Sequence, residues 1–299
     1  PLQRGIPQEH VSSTLVFDYN DIQSLRSLFD AYPAQIAAVM LEPATTVIPC
    51  AIDCSELSAN SNCMACPHKE KNFLHQVQSL CRQEEALFIL DEMITGFRWA
   101  LEGAASYFGV QPDLMTFGKG MANGFSVAAV TGRREVMEVG AIDKSGAERV
   151  FLLSTTHGGE MSGLGAFIET VSIYQEEDVC RHLWDFGLEL KNKMNDLAVE
   201  LGIQDFFEIV GPAASLNYVT RDPQGGISLE YRTLFSQEMI RNGVLMPWIA
   251  QSQSHTDMEL DLTLSAIRSS LEVYRKALEF GLDKFLQGAE IKPVFRRDN

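Results

Sequence analysis

Along the chain, helical stripes alternate with short apolar runs. Behind Asn20 or Asp21, either of which can cap a helix, Ile22, Leu25, Leu28 and Phe29 follow the helical period. Ile36 to Leu41 then reads as a buried strand ending in Glu42-Pro43. Phe73, Leu74, Val77, Leu80 and Cys81 make one helix face, and the unbroken run Ala86 to Leu90 suits a strand buried on both faces. A helical turn or two is expected within Arg98 to Gly109. Short strands are expected at Leu114 to Phe117 and Val127 to Val130, and a helix near Glu160 or Met161. Val179 to Leu201 is a long amphipathic helix closed by Gly202. Beyond it lie strands at Phe207 to Val210 and Leu216 to Val219, a turn at Asp222 to Gly226, and a helix from Ser228 or Leu229 to Gly243. A last helix runs from Asp257 to Phe285, kinked at Gly281. Helix then strand, repeated, argues for an α/β fold with a mainly parallel sheet flanked by helices, followed by a smaller C-terminal α+β domain. Residues 1–177 are expected in the first domain, and residues 178–299 are expected to hold the connecting helix and the second.

At 299 residues the chain is ample for a real core. A net charge of −16 argues against nucleic acid or an anionic membrane as the main partner. No apolar run approaches the roughly 20 residues needed to span a bilayer, and no signal peptide opens the chain. A cytoplasmic protein is expected. The chain starts Pro-Leu-Gln-Arg without methionine, as a fragment or a processed product would.

Chemistry concentrates at two strand ends. The run at Leu90 stops in Asp91 and Glu92, and the run at Phe117 leads to Lys119 between Gly118 and Gly120. A carboxylate and an amine placed just beyond buried strands are what pyridoxal phosphate chemistry needs. The lysine forms the Schiff base, its pKa lowered by partial burial, and the carboxylate keeps the pyridine nitrogen protonated. An aspartate at a strand end is also a common helix cap, and a lysine between glycines a common solvated charge, so spacing alone leaves both readings open. Ser154-Thr-Thr-His-Gly-Gly159 precedes a helix, which makes either a phosphate site or an ordinary cap. Cys50, Cys54, Cys63 and Cys66 form a C-x3-C-x8-C-x2-C cluster within a polar insertion at about 48–67. Four thiolates could hold Zn²⁺ there, and free thiols in an insertion loop are the alternative.

Three stretches, DEMITGFR from Asp91, GVQPDLMTFGKGMANG from Gly109 and STTHGGEMSGLGA from Ser154, resemble class III aminotransferases of pyridoxal phosphate fold type I. The resemblance is greatest to glutamate-1-semialdehyde 2,1-aminomutases and their aminotransferase relatives, and runs from about Thr14 to Phe285. It implies that Asp91 and Lys119 are catalytic and that Met93 packs behind the cofactor ring. It further implies that Thr156 reaches the phosphate of a neighbouring subunit, hence a homodimer with shared sites, acting on an amino donor and a keto or aldehyde acceptor. Neighbouring His157 is read as a structural group. Relatives carry an upstream portion with a Gly/Ser-rich phosphate turn and an aromatic residue stacked on the ring, and neither precedes Asp91 here. The alternative function is therefore an incomplete family member serving as a partner or structural subunit. Val244 to His255 lacks the glutamate that aminomutases carry near the substrate, which favours transfer to a separate acceptor over an intramolecular shift.

Overall fold

The computed structural model describes residues 3–44, 47–50, 71–143, 146, 148–150 and 158–292. In chain order the elements are helices α1 (Gln8–Ser12) and α2 (Ile22–Ala31), strand β1 (Ala38–Leu41), α3 (Phe73–Gln83), β2 (Leu87–Asp91), α4 (Ala104–Phe108), β3 (Leu114–Phe117), β4 (Ala129–Gly132) and α5 (Arg134–Met137). They continue as α6 (Met161–Glu176), α7 (Val179–Glu200), β5 (Phe207–Val210), β6 (Asn217–Thr220), α8 (Leu229–Arg241) and α9 (Asp257–Phe280). Two compact units emerge: Val16–His182, and Pro1–Leu15 together with Leu183–Asn299. Among the described residues no helix is long and apolar enough to cross a membrane.

In the first unit the sheet order is β1-β2-β3-β4, parallel across the first three strands and antiparallel at the last. Helix α2 is capped by Asp21, whose Oδ1 accepts from the amides of Gln23 and Ser24. Helix α3, capped by Asn72, buries the stripe of Phe73, Leu74, Val77, Leu80 and Cys81 and packs against β2. Strand β2 alternates, with Phe88 and Leu90 buried and Leu87, Ile89 and Asp91 half-buried. This corrects the expectation of a strand buried on both faces. Asp91 is the last residue of β2 rather than the first beyond it. Strand β4 lies two residues beyond the apolar run that suggested it. Gly132 pairs with Leu114, where a side chain would meet the Asp113 carbonyl, so close backbone approach, not hydrophobicity, sets its position.

The second unit closes around aromatic side chains. Phe207 lies 4.8 Å from Phe235 and 6.1 Å from Tyr274 between ring centroids, and Leu234, Met239, Ile267 and Leu271 surround them. Tyr274 Oη donates to the Arg221 carbonyl at 2.7 Å and accepts from the Arg221 amide at 3.0 Å, pinning the end of the β5–β6 hairpin to α9. Helix α9 begins in a capping box of Thr256 and Glu259 and ends before Gly281, which sits at φ +95°. The kink expected at Gly281 is a full stop, followed by a single 3₁₀ turn at Leu282–Lys284. Helix α7 ends as its sequence implies, with Gly202 at φ +70° and the Ile203 amide bonded back to Ala198.

Candidate functional site

The carboxyl ends of the three parallel strands set three polar residues in a row. Register pairs Leu41 with Leu90 and Asp91 with Thr116, so Asp91 and Thr116 lie side by side, and Glu42, directly after β1, comes close enough to Asp91 for the two charges to interact. Thr116 Oγ1 donates to Asp91 Oδ1 at 3.1 Å, and the Met93 amide donates to the same oxygen at 3.0 Å. Oδ2 of Asp91 takes no hydrogen bond from any described residue. The carboxylate is therefore fixed by one oxygen and presents the other.

Lys119 opens a 3₁₀ turn, Lys119–Met121, directly after β3. Its backbone sits at φ +46°, a left-handed conformation that costs a side-chain-bearing residue roughly 1–2 kcal/mol. The side chain is exposed, not partly buried as expected. Gly118 brings the turn close to Met93, whose side chain a Cβ there would meet. Met93 thus packs on the backbone that carries Lys119, and a side chain at 118 would require the Met93 thioether to move.

What holds this edge still is Glu92, which is fully buried, at 0% exposure. Its carboxylate accepts from Thr95 Oγ1, from the Ala104 amide at 2.9 Å and from the Ala105 amide at 2.7 Å. The acid caps α4 from a distance, and Gly103, at φ +92°, leaves room for it, since a Cβ there would lie 2.8 Å from the carboxyl carbon. The segment between β2 and α4 is thereby closed into a loop, and it also carries Phe97. That ring meets Phe117 and Tyr174 at 5.8 Å each and Phe167 at 6.3 Å, tying β3 and α6 to the same loop. Arg98 follows, its guanidinium pKa lowered by burial.

Glu42 is the contrast. Its Oε2 is buried with no hydrogen-bond partner among the described residues. Burial first, and then Asp91, raise its pKa above the ordinary value of 4.5, while Lys119 pulls it down. The backbone beside it is fixed: Tyr19 Oη donates to the Pro43 carbonyl at 2.7 Å, and Asn20 bonds both the Ile48 carbonyl and the Cys50 amide. Tyr19 packs edge-on to Phe73 at 5.1 Å, and its phenol is held neutral by burial and by the nearby Cys50 and Glu42.

A family model described as aminotransferase class-III matches residues 62–207, the stretch that contains Asp91, Glu92, Met93 and Lys119. The resemblance to class-III aminotransferases is thus matched by a family model over just under half of the chain. It is 31% identical over 282 residues to the glutamate-1-semialdehyde 2,1-aminomutase of Alkaliphilus oremlandii, covering 92% of this chain and 62% of that protein. It is 30% identical over 278 residues to the 3-aminobutyryl-CoA aminotransferase of Cloacimonas acidaminovorans, covering 92% of this chain and 61% of that one. The chain thus spans about three fifths of these relatives' length. Among solved structures, the FumI protein of Sphingopyxis sp. MTA144 in its pyridoxal phosphate internal aldimine form superposes with a TM-score of 0.75 at 23% identity, covering 94% of this chain and 62% of that one. The architecture is that of fold type I.

The sequence-derived residues divide as follows. Asp91, Met93 and Lys119 come together at the sheet edge. Thr156 and His157 lie outside the described residues, as do Cys54, Cys63 and Cys66. Cys50 is described and buried, its Sγ directed to the Ile48 carbonyl at 3.5 Å. Among the described residues no group of three or more His, Cys, Asp or Glu side chains is placed to hold a metal. Val244 to Gln251 and His255, from the segment without the aminomutase glutamate, line a groove of about 530 Å³ within the C-terminal unit, together with Phe186, Glu259 and Leu262. Sequence reasoning missed the parts played by Glu42 and Glu92. The available signal was an acid ending β1 ahead of a proline, and a second acid directly beside Asp91.

The residues present fit pyridoxal phosphate. A carboxylate with one uncommitted oxygen suits a pyridinium N–H, an exposed amine beyond the next strand suits the aldehyde carbon, and Glu42 keeps an unsatisfied polar atom at the same edge.

Proposed function

We propose that this chain carries out pyridoxal-phosphate-dependent amino-group transfer between a small amino donor and a keto or aldehyde acceptor. The observation that carries the reading is Asp91, held by Oδ1 with Oδ2 uncommitted, on the strand beside the one that leads to Lys119. Bound pyridoxal phosphate would supply an electron sink that stabilises negative charge at the substrate carbon. Asp91 would accept the pyridine N–H and keep that nitrogen protonated. Met93 would pack against the ring. The Lys119 amine would hold the cofactor covalently and, once released, move a proton at the substrate carbon as general base and then general acid. Thr156 would serve the phosphate from a second copy of the chain.

Transfer to a separate acceptor is preferred over the intramolecular shift of an aminomutase, because Val244 to His255 contains no acid. A homodimer is supported by α6, an apolar helix on which Met161, Leu164 and Ile168 form an exposed stripe, with Ile168 at 66% exposure. Light scattering should return twice the chain mass, and a monomer would remove that part of the reading.

The deciding experiment is borohydride trapping. The protein is incubated with pyridoxal phosphate, reduced and mapped by mass spectrometry. One phosphopyridoxyl group on Lys119, absent from Lys119→Ala, is the expected result. Labels scattered over surface lysines, or none, would overturn the assignment for this chain.

A further inference from the structure

Within the C-terminal unit, the groove along Val244 to Gln251 is built like a small-molecule site. Its volume of about 530 Å³ lies in the range of ligand pockets, and its walls are mostly apolar, with flat rings supplied by Phe186 and Trp248. Two of the wall residues stand out in solvent, Trp248 at 66% and Leu262 at 58% exposure. The strip that forms one wall is pinned twice. Tyr218 Oη donates to the Pro247 carbonyl at 3.0 Å, and Gln251 Nε2 donates to the Ala213 carbonyl at 2.6 Å and to that of Leu183 at 3.3 Å. Gly187 on α7 makes this clamp possible, since a Cβ there would collide with the Ala213 carbonyl.

The clamp also fixes which way the Gln251 amide is turned. Two carbonyls can be served only by the nitrogen, so the oxygen takes the other side. Ala213 and Leu183 do not line the groove, whereas Gln251 does, and the oxygen is the polar atom its amide has left for it. That oxygen is buried and accepts no hydrogen bond from any described residue, in a side chain only 2% exposed. An acceptor buried without a donor is costly, and native interiors seldom keep one without a use.

The rest of the lining narrows the ligand. Among the described residues Glu259 is the one acid that lines the groove, and no lysine or arginine does. An anion would meet that carboxylate. A cation has little to gain from it, because Glu259 already accepts from the Thr256 amide and hydroxyl in the α9 capping box. His255 lies tilted on Phe186, 5.6 Å between ring centroids, with its Nδ1 accepting from the Ser252 amide. The complementary molecule is flat, neutral and apolar, with one N–H or O–H to give.

We propose that this groove binds a neutral aromatic molecule of the indole or phenol class, its ring against Phe186 and Trp248 and its single donor on Gln251 Oε1. The proposal is independent of the cofactor reading, since no residue of the Asp91 and Lys119 edge takes part.

The test compares indole with benzothiophene, which keeps the two-ring outline and puts sulfur in place of the N–H. Dissociation constants are measured by NMR titration of the full chain without cofactor. Indole should bind about tenfold more tightly, the size of one hydrogen bond to a buried acceptor. Gln251→Met should bring indole to the level of benzothiophene and leave benzothiophene unchanged. That variant also loses the clamp on Ala213, so its melting is recorded, and the two ligands on the unmodified chain decide the question if it fails to fold. Trp248→Ala, at an exposed position, should weaken both ligands alike without lowering the melting temperature. Lys119→Ala should leave indole binding as it was. Equal affinity for the two ligands overturns the proposal, and so does absence of binding. Indole binding that survives Trp248→Ala undiminished, or that falls in Lys119→Ala, puts the molecule elsewhere and overturns it as well. A chain that prefers indole as expected but gives no phosphopyridoxyl label on Lys119 would overturn the cofactor reading alone.

Discussion

Two acids at one end of the same sheet have opposite surroundings. Glu92 is buried among three donors and closes the loop from β2 to α4, while Glu42, one strand away, has a buried oxygen with no donor among the described residues. Asp91 lies between these extremes, with one oxygen committed and one not. The contrast separates what the fold needs from what a ligand would need. Carboxylates fully satisfied by the chain hold the edge in shape, and those left partly or wholly unsatisfied define where another molecule belongs.

The largest expected effect tests the structural side. Glu92→Ala strands the amides of Ala104 and Ala105 in a buried setting, and should cost about 3 kcal/mol in urea unfolding. A loss below about 1 kcal/mol would break the contrast. Asp91→Ala should divide the other way. Unfolding should change by no more than about 1 kcal/mol, while pyridoxal phosphate trapping at Lys119 falls at least about tenfold. Equal damage to both readouts would mean that Asp91 is as structural as its neighbour.

The smallest effect concerns pH. Glu42 binds its proton more tightly in the folded chain than in the unfolded one. Above the ordinary value of 4.5 the folded state therefore carries more protons, and stability declines as pH rises through that window. Ligand-free melting should show this slope in the unmodified chain and a shallower one in Glu42→Gln. Identical profiles would mean that the carboxyl group ionises as freely folded as unfolded.

Much of this scaffold was legible in the sequence because periodicity reports local burial. The α3 stripe, β3, the closure of α7 at Gly202 and the placing of Asp91 and Lys119 at strand ends all follow from neighbours close in the chain. What escaped depends on distant partners. Glu92 reads as a second strand-end acid until Gly103 and the α4 amides are brought to it, and Glu42 reads as a full stop before Pro43 until β1 is laid beside β2. The exposure of Lys119 and the position of β4 were missed for the same reason, since a backbone turn and the close approach at Gly132 decide them rather than hydrophobicity.

The parallel pairing of β1, β2 and β3 also has a kinetic consequence. Each of these strands is joined to the next only after a crossover has been traversed, so the row of Glu42, Asp91 and Thr116 is assembled from positions far apart in the chain. Closing such loops costs entropy before any contact rewards it. Helices such as α3 can form early from local sequence, while the edge that would receive a ligand comes into being only as the sheet locks. On this topology, capacity to bind is a late arrival in folding.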